Sequence, residues 1–323
     1  MGLSRYLDRK EMARGGNGVL YSAFDQVIGR TVVIKVLLQE HRLDSSFRRR
    51  LLREARVTAQ LEHPGTVPVY EIGDDSELGI YYVMKRISGE NFFNVLRAIA
   101  KGEKEVEEAF PLRRRIEIIE AVCQTLASAH AHGVIHRDVK PENIWVGNFG
   151  EVTLLDWGAA KVWGEPLMAA VQNVNTTPSR RHVIADSMST ESVNHEVSNF
   201  DLPKLTPVQQ LIGTPTYMSP EQIGNGNIDD RCDVFSAGVC LYEAMAIAEP
   251  FRGRDQEETF DNICSRRPTP PSERSPSRNI PELADAIFAK ATRKQPSQRY
   301  QTMREFIEDL HRLLLATNAI KRH

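Results

Sequence analysis

The spacing of apolar and polar positions changes along the chain. Up to about residue 90 the pattern is that of strands with one helix, and beyond it most of the chain repeats as helix. Thr31 to Leu38, TVVIKVLL, is β-branched and apolar on both parities, the pattern of a strand covered on both faces. Lys35 is its only charge. Val33, Lys35 and Leu37 share one face of such a strand, so the ammonium lies among apolar neighbours and requires an anion. In the next segment Phe47, Leu51, Glu54, Thr58 and Leu61 advance by four, three, four and three, one stripe of a helix. Glu54 interrupts that stripe, and an inward acid is best explained as the partner of the inward lysine. The alternative is two snorkelling surface side chains.

Upstream, ARGGNGVLY (Ala13 to Tyr21) joins two strand-like segments. Gly15, Gly16 and Gly18 would let backbone amides approach a phosphate closely, and a tight hairpin turn needs the same residues. No Gly-Lys-Ser/Thr follows, which excludes a Walker A loop. From Asn91 to Val122 the chain reads as helix, interrupted by KGEKEVEEA, expected to be a solvated insert. Ile116, Ile119, Cys123, Leu126 and His130 keep helical spacing, and Gly133 ends that helix. Trp163 to about Val208 is rich in Ser, Thr, Asn and Val without sustained periodicity and reads as a mobile loop. Helical patterns resume near Arg231 and run, through a Pro/Ser/Arg-rich connection at 266–278, to the C-terminus.

A chain of 323 residues is long enough for one large domain or two lobes. With 41 basic and 43 acidic residues its net charge is -2, which excludes a general attraction to nucleic acid or anionic lipid. Arg48–Arg50 and Arg113–Arg115 fall within helical patterns and are expected on solvated faces. Cys123, Cys232, Cys240 and Cys264 are widely spaced without a CxxC, as expected of reduced core thiols in a cytoplasmic protein. No apolar run reaches the length of a membrane span; the best, Val239 to Ala248, is short and contains Glu243. The start, MGLSRY, offers neither a signal-peptide core nor the Ser/Thr of a myristoylation signal, so a soluble, intracellular protein is expected.

The densest chemistry is in HGVIHRDVKPENIWV, His132 to Val146. Together with the glycine loop, Lys35 in VVIK, Glu54, DWG at 156–158, GTPTYMSPE at 213–221, Asp233 and Arg299, it resembles the eukaryotic-like Ser/Thr protein kinases of bacteria, over about Arg5 to Leu314. The resemblance implies an α+β, two-lobed fold: a β-rich lobe at 1–86, a mainly helical lobe at 87–316 and a short tail at 317–323. An activation segment would span 156–221, with the mobile insert at about 164–208.

It also implies roles. Lys35, held by Glu54, would grip the α- and β-phosphates of ATP, with the loop at Ala13, Gly15, Gly16 and Gly18 above them. Asn143 and Asp156 would hold Mg²⁺, hard oxygen ligands for a hard cation. Asp138 would orient the attacking hydroxyl and accept its proton, and Lys140 would steady the γ-phosphate. The Asp-x-Lys-Pro order and Thr214 resemble Ser/Thr rather than tyrosine kinases. Leu20 and Val33 would roof the adenine, Trp145 would floor it, Met84 would be the gatekeeper and Lys85 to Ile87 the hinge. Asn143 and Trp145 are expected on one strand, both facing the nucleotide. His130, His132 and His136 are read as packing residues rather than a metal cluster. Asp233 would tie down the catalytic loop, and Arg299 would pair with Glu221.

Four positions depart from the family pattern: Ala13 for the first loop glycine, Val33 for alanine, Trp157 for the phenylalanine of DFG and Ser219 for the alanine of APE. Trp145, where a leucine-like residue is usual, either stacks on the base or fills its pocket. The expected function is ATP- and Mg²⁺-dependent phosphorylation of Ser/Thr on protein substrates. Autophosphorylation would take a second copy of the chain, and Thr206 is the candidate phosphosite facing Arg137. Two alternatives are a pseudokinase that binds partners or nucleotide without catalysis, and a small-molecule phosphotransferase.

Overall fold

A computed structural model of the chain describes residues 3–16, 18–163, 215–224 and 226–320. Its first part is a five-stranded antiparallel sheet of β1 (Tyr6–Arg14), β2 (Gly18–Asp25), β3 (Arg30–Leu37), β4 (Val69–Asp75) and β5 (Gly79–Lys85), in the order β1-β2-β3-β5-β4. β3 lies in the middle of this sheet, which is why its apolar residues alternate between two covered faces. Val32, Ile34 and Val36 pack with Val19, Ala23, Tyr81 and Val83 on one face. Leu37 packs with Ile80, Tyr82 and the helix residues Leu51 and Ala55 on the other. That helix, α1 (Ser45–Gln60), starts where the Asp44 carboxylate accepts the Ser46 backbone N–H at 2.7 Å.

The rest is helical: α2 (Phe92–Ala100), α3 (Lys104–Ala109), α4 (Leu112–Ala131), α5 (Pro220–Ile223), α6 (Arg231–Ala246), α7 (Gln256–Ser265), α8 (Pro271–Arg274), α9 (Leu283–Ala291) and α10 (Met303–Ile320). The short strands β6 (Glu90–Asn91), β8 (Ile144–Val146) and β9 (Val152–Leu154) form one small sheet, while β7 (Val134–Ile135) pairs with β10 (Lys161–Val162). Every residue of α6 from Cys232 to Ala246 is buried. A helix buried on all sides belongs inside a lobe, and the loop after β7 is built against this one. A β-sheet part followed by a helical part is the two-lobed α+β arrangement expected. Among the described residues no helix is long and apolar enough to cross a membrane.

Three expectations need amending. The KGEKEVEEA stretch is mostly exposed, as expected of a solvated insert, but it also folds: α3 forms within it, Val106 packs on the core, and Glu107 pairs with Arg278 at 2.5 Å. Arg115 does not lie on a solvated face. It is 2 % exposed and donates to the Ala244 carbonyl, and burial pushes its guanidinium down to about 10. Cys264 is exposed, whereas Cys123, Cys232 and Cys240 are buried as expected. The 164–208 insert, Thr206 and Thr214 lie outside the described residues.

Candidate active site

Strand register places the upper half of the site. Leu20 is opposite Lys35 and Lys35 opposite Tyr82, while Val33 is opposite Met84, so these residues share one face of the sheet. Gly18 begins β2 where a Cβ would stand 2.5 Å from the Val36 carbonyl oxygen, so close strand packing demands glycine there. Ala13 ends in an exposed stretch of β1 and, with Gly15 and Gly16, forms the rim of the hairpin.

Lys35 finds the expected partner: its Nζ is 2.5 Å from Glu54 Oε1, which also accepts the Tyr82 hydroxyl at 2.8 Å. Burial alone would lower the Lys35 pKa, but the charges of Glu54 and Asp156 outweigh it and hold the ammonium's pKa above its usual range. Burial and Glu54 push the Tyr82 hydroxyl far up, leaving it a neutral donor. Asp156 sits at φ 61°, a left-handed conformation rare for a residue with a side chain. Burial would raise its carboxyl, yet Lys35 and then His136 more than offset this and keep it ionised. A Cβ on Gly158 would come within 3.0 Å of Asp156 Oδ1 and 3.3 Å of Glu54 Oε2, so this glycine lets both carboxylates approach the lysine.

The lower half is the loop after β7. Asp138 receives Lys140 Nζ on both oxygens, at 2.9 and 2.8 Å, and the Asn143 amide donates to the Asp138 carbonyl at 2.8 Å. Asn143 belongs to a tight turn, Pro141–Asn143, and not to the strand expected to carry it with Trp145. Proline at the head of that turn fixes its entry and leaves no orphan N–H. Of Asn143 and Trp145, only Trp145 is in β8. Ile144 and Val146 on either side of it enter the helical core, so its half-buried indole points the other way. The indole Nε1 is buried and has no partner among the described residues.

Asp233, wholly buried on α6, holds this loop from beneath. It accepts the backbone N–H groups of His136 and Arg137, both at 2.8 Å, and bonds His130 Nε2 at 2.8 Å. Burial would raise this carboxyl, but the His130 bond and charge outweigh that and lower it. All three histidines thus have structural partners: His132 Nδ1 bonds the Ser128 carbonyl at 2.7 Å, and His136 reaches the Leu155 carbonyl and meets the Trp157 ring edge-on at 4.5 Å. Trp157 fills the apolar slot expected of it at 2 % exposure, although its own Nε1 is buried with no partner among the described residues. Arg299 donates to both Glu221 oxygens at 2.7 Å, the expected pair.

Sequence reasoning missed Gln222. Its Oε1 accepts from the Ser219 backbone at 3.0 Å, and its Nε2 donates to the Arg137 carbonyl at 2.8 Å, tying the start of α5 to the catalytic loop. The signal was present, because Ser219 and Gln222 have the spacing of a helix capping box. Arg137 is itself left-handed, at φ 67°, and donates to the Ala159 carbonyl at 2.7 Å. Burial first, and then the nearby Arg53 and Arg50, depress its pKa.

This arrangement brings together Asn143, Asp156, Lys35 and Asp138, residue types that phosphoryl transfer can use. Comparison with known proteins agrees: residues 6–181 and 184–310 match the family described as protein kinase domain. Serine/threonine-protein kinase PknD of Chlamydia trachomatis serovar L2b is 30 % identical over 312 residues, 95 % of this chain and 31 % of the relative. PknD of Chlamydia muridarum is 31 % identical over 310 residues, and that of Chlamydia pneumoniae 30 % over 311. The chain therefore spans about a third of the length of these relatives. Sheet lobe, helical lobe and matched residues together make this chain a member of the protein kinase family.

Proposed function

We propose that this chain transfers the γ-phosphate of ATP to serine and threonine hydroxyls of proteins. The observation that carries the reading is the joined set Lys35, Glu54 and Asp156, facing a catalytic loop in which Asp138, Lys140 and Asn143 already touch one another. Lys35 would hold phosphate oxygens, with Glu54 and Tyr82 fixing its position. Asp138 would receive the hydroxyl proton and align that hydroxyl, and Lys140 would pass from Asp138 to the transferring phosphate. The donor set suits Mg²⁺: Asp156 is ionised and Asn143 offers an amide oxygen, leaving the remaining positions to phosphate and water. Bound there, the ion would neutralise phosphate charge. Radiolabelled ATP incubated with the chain, Mg²⁺ and a Ser/Thr protein substrate should give labelled phosphoserine or phosphothreonine. Absence of label under all metal and substrate conditions rejects the proposal.

Regulation would follow from Arg137, whose half-buried guanidinium donates to the Ala159 carbonyl and is crowded by two other arginines. A phosphorylated residue of the 164–212 segment, with Thr206 as the candidate, would neutralise it. Labelling in trans would need a transient homodimer, and a cytoplasmic site would supply ATP and keep the four thiols reduced. The pseudokinase reading is favoured by one feature, the half-buried Trp145 with its unpaired indole N–H, which fits a ring lodged in the adenine space.

A further inference from the structure

Two neighbouring tyrosines of β5, Tyr81 and Tyr82, point to opposite faces of the sheet, and each gives its hydroxyl to a glutamate. Tyr81 donates to Glu71 Oε1 of β4 at 3.0 Å, on the face away from α1. Tyr82 donates to Glu54 Oε1 of α1 at 2.8 Å, and this bond is buried, with Tyr82 4 % and Glu54 8 % exposed. The same oxygen receives Lys35 Nζ at 2.5 Å, so β3 and β5 both hold α1 by a single carboxylate oxygen. That oxygen has two lone pairs, and the two donors occupy both. Oε2 is left facing Gly158, where an added Cβ would stand 3.3 Å from it. Around this point Leu51 and Ala55 of α1 pack on Leu37, Ile80 and Tyr82, an apolar contact that sets no angle for the carboxylate. The Arg48–Asp74 pair between α1 and β4, at 2.7 Å, is exposed and adds little.

Lys35 alone could not fix Glu54. Its ammonium answers the charges of both Glu54 and Asp156, and in the proposed reaction it must also face phosphate. A carboxylate held by that lysine only would turn with it, or take it on both oxygens and draw it away from the phosphates. The Tyr82 hydroxyl, fixed by a buried ring in the sheet, holds Glu54 independently of Lys35. We propose that Tyr82 is a positioning residue that latches α1 through Glu54 Oε1, so that Glu54, and Lys35 with it, is set before any nucleotide or partner arrives. The consequence for phosphate binding rests on the kinase reading, whereas the latch on α1 is a property of the fold.

Tyr82→Phe keeps the ring and removes only the hydroxyl, and Tyr81→Phe makes the same deletion on the opposite face. Hydrogen exchange over residues 51–58 of the nucleotide-free chain, taken relative to residues 32–36 of β3, tests the latch without any activity. Protection there should fall about tenfold or more in Tyr82→Phe, the loss expected of a hydrogen bond to a charged group, and hold in Tyr81→Phe. Calorimetry with Mg²⁺ and ADP reads the consequence at Lys35. Affinity should fall about tenfold in Tyr82→Phe and hold in Tyr81→Phe. In a Glu54→Ala background, adding Tyr82→Phe should cost nothing further, because the two residues act as one unit. If phosphorylation is observed, the KM for ATP should rise in Tyr82→Phe by the same factor while the KM for the protein substrate holds. A merely structural defect would instead lower the active fraction, and so kcat, and leave both KM values in place. Protection over 51–58 that is unchanged in Tyr82→Phe, or lowered equally by Tyr81→Phe, overturns the proposal. So does a loss of ADP affinity that persists in full without Glu54. Absence of ADP binding to the wild type, with the exchange contrast intact, would count against the kinase reading alone.

Discussion

From His136 to Asn143 the chain is tied at nearly every residue, by Asp233 from α6, by Gln222 from α5, and by Asn143 and Lys140 folding back on Asp138. From Arg14 to Gly18 the described residues show, besides the strand pairing of Arg14 with Val19 and of Gly18 with Leu37, one turn-closing backbone bond, Gly15 N–H to the Gly18 carbonyl at 2.9 Å, and an exposed Arg14–Glu11 pair. Both segments would face the same nucleotide. The difference fits the chemistry proposed for each: a proton acceptor would have to be placed before the reaction, whereas a loop over phosphates would have to open to admit and release them. Substitutions should therefore cost far more in the first segment than in the second.

The largest effects are expected where the charged set itself is removed. Asp138→Asn and Lys35→Met should each lower the rate of label transfer by about a hundred- to ten-thousand-fold, with unchanged circular dichroism; residual rates equal to wild type would end the contrast. Next comes the support beneath the loop. Arg299→Ala leaves Glu221 charged and buried, and breaking such a pair costs about 3–5 kcal/mol, to be read from urea unfolding. Trp145→Leu should change ATP affinity by no more than about tenfold, because an aromatic stack is worth ~0.5–1.5 kcal/mol beyond burial. Its sign decides between models: weaker binding in calorimetry means the indole stacks on the base, and tighter binding means it fills the pocket. The smallest effect belongs to the glycine turn. Ala13→Gly should alter the KM for ATP by less than about fivefold, since a glycine in a strand costs only ~0.5–1 kcal/mol, and a larger change would show that the turn is as constrained as the catalytic loop.

Much of the site was legible in the sequence because burying a charge leaves a periodic trace. Lys35 interrupts an apolar strand and Glu54 an apolar helix stripe, and the two are found paired. The same logic failed at Arg115, where three consecutive arginines look like a solvated run. What buries the third is the carbonyl end of α6, more than a hundred residues away in sequence. The helix α3 escaped notice because its lysine and glutamates hide the single apolar contact made by Val106. Glu243 was visible only as an interruption in an apolar run, and nothing local announces the Tyr217 hydroxyl bonded to it. Asn143 was set one residue too early for its strand, where proline shapes a turn instead.

The bonds from Asp233 to His136 and Arg137 span 97 and 96 residues of sequence. A chain emerging from the ribosome therefore completes its catalytic loop long before it makes the residue that shapes it. Because domains generally take form as units during synthesis, and long-range contacts form late, the loop should stay unshaped until α6 has been extruded and packed. Nascent chains ending before Asp233 should consequently be silent as phosphotransferases, although they contain every residue assigned to ATP, metal and proton transfer.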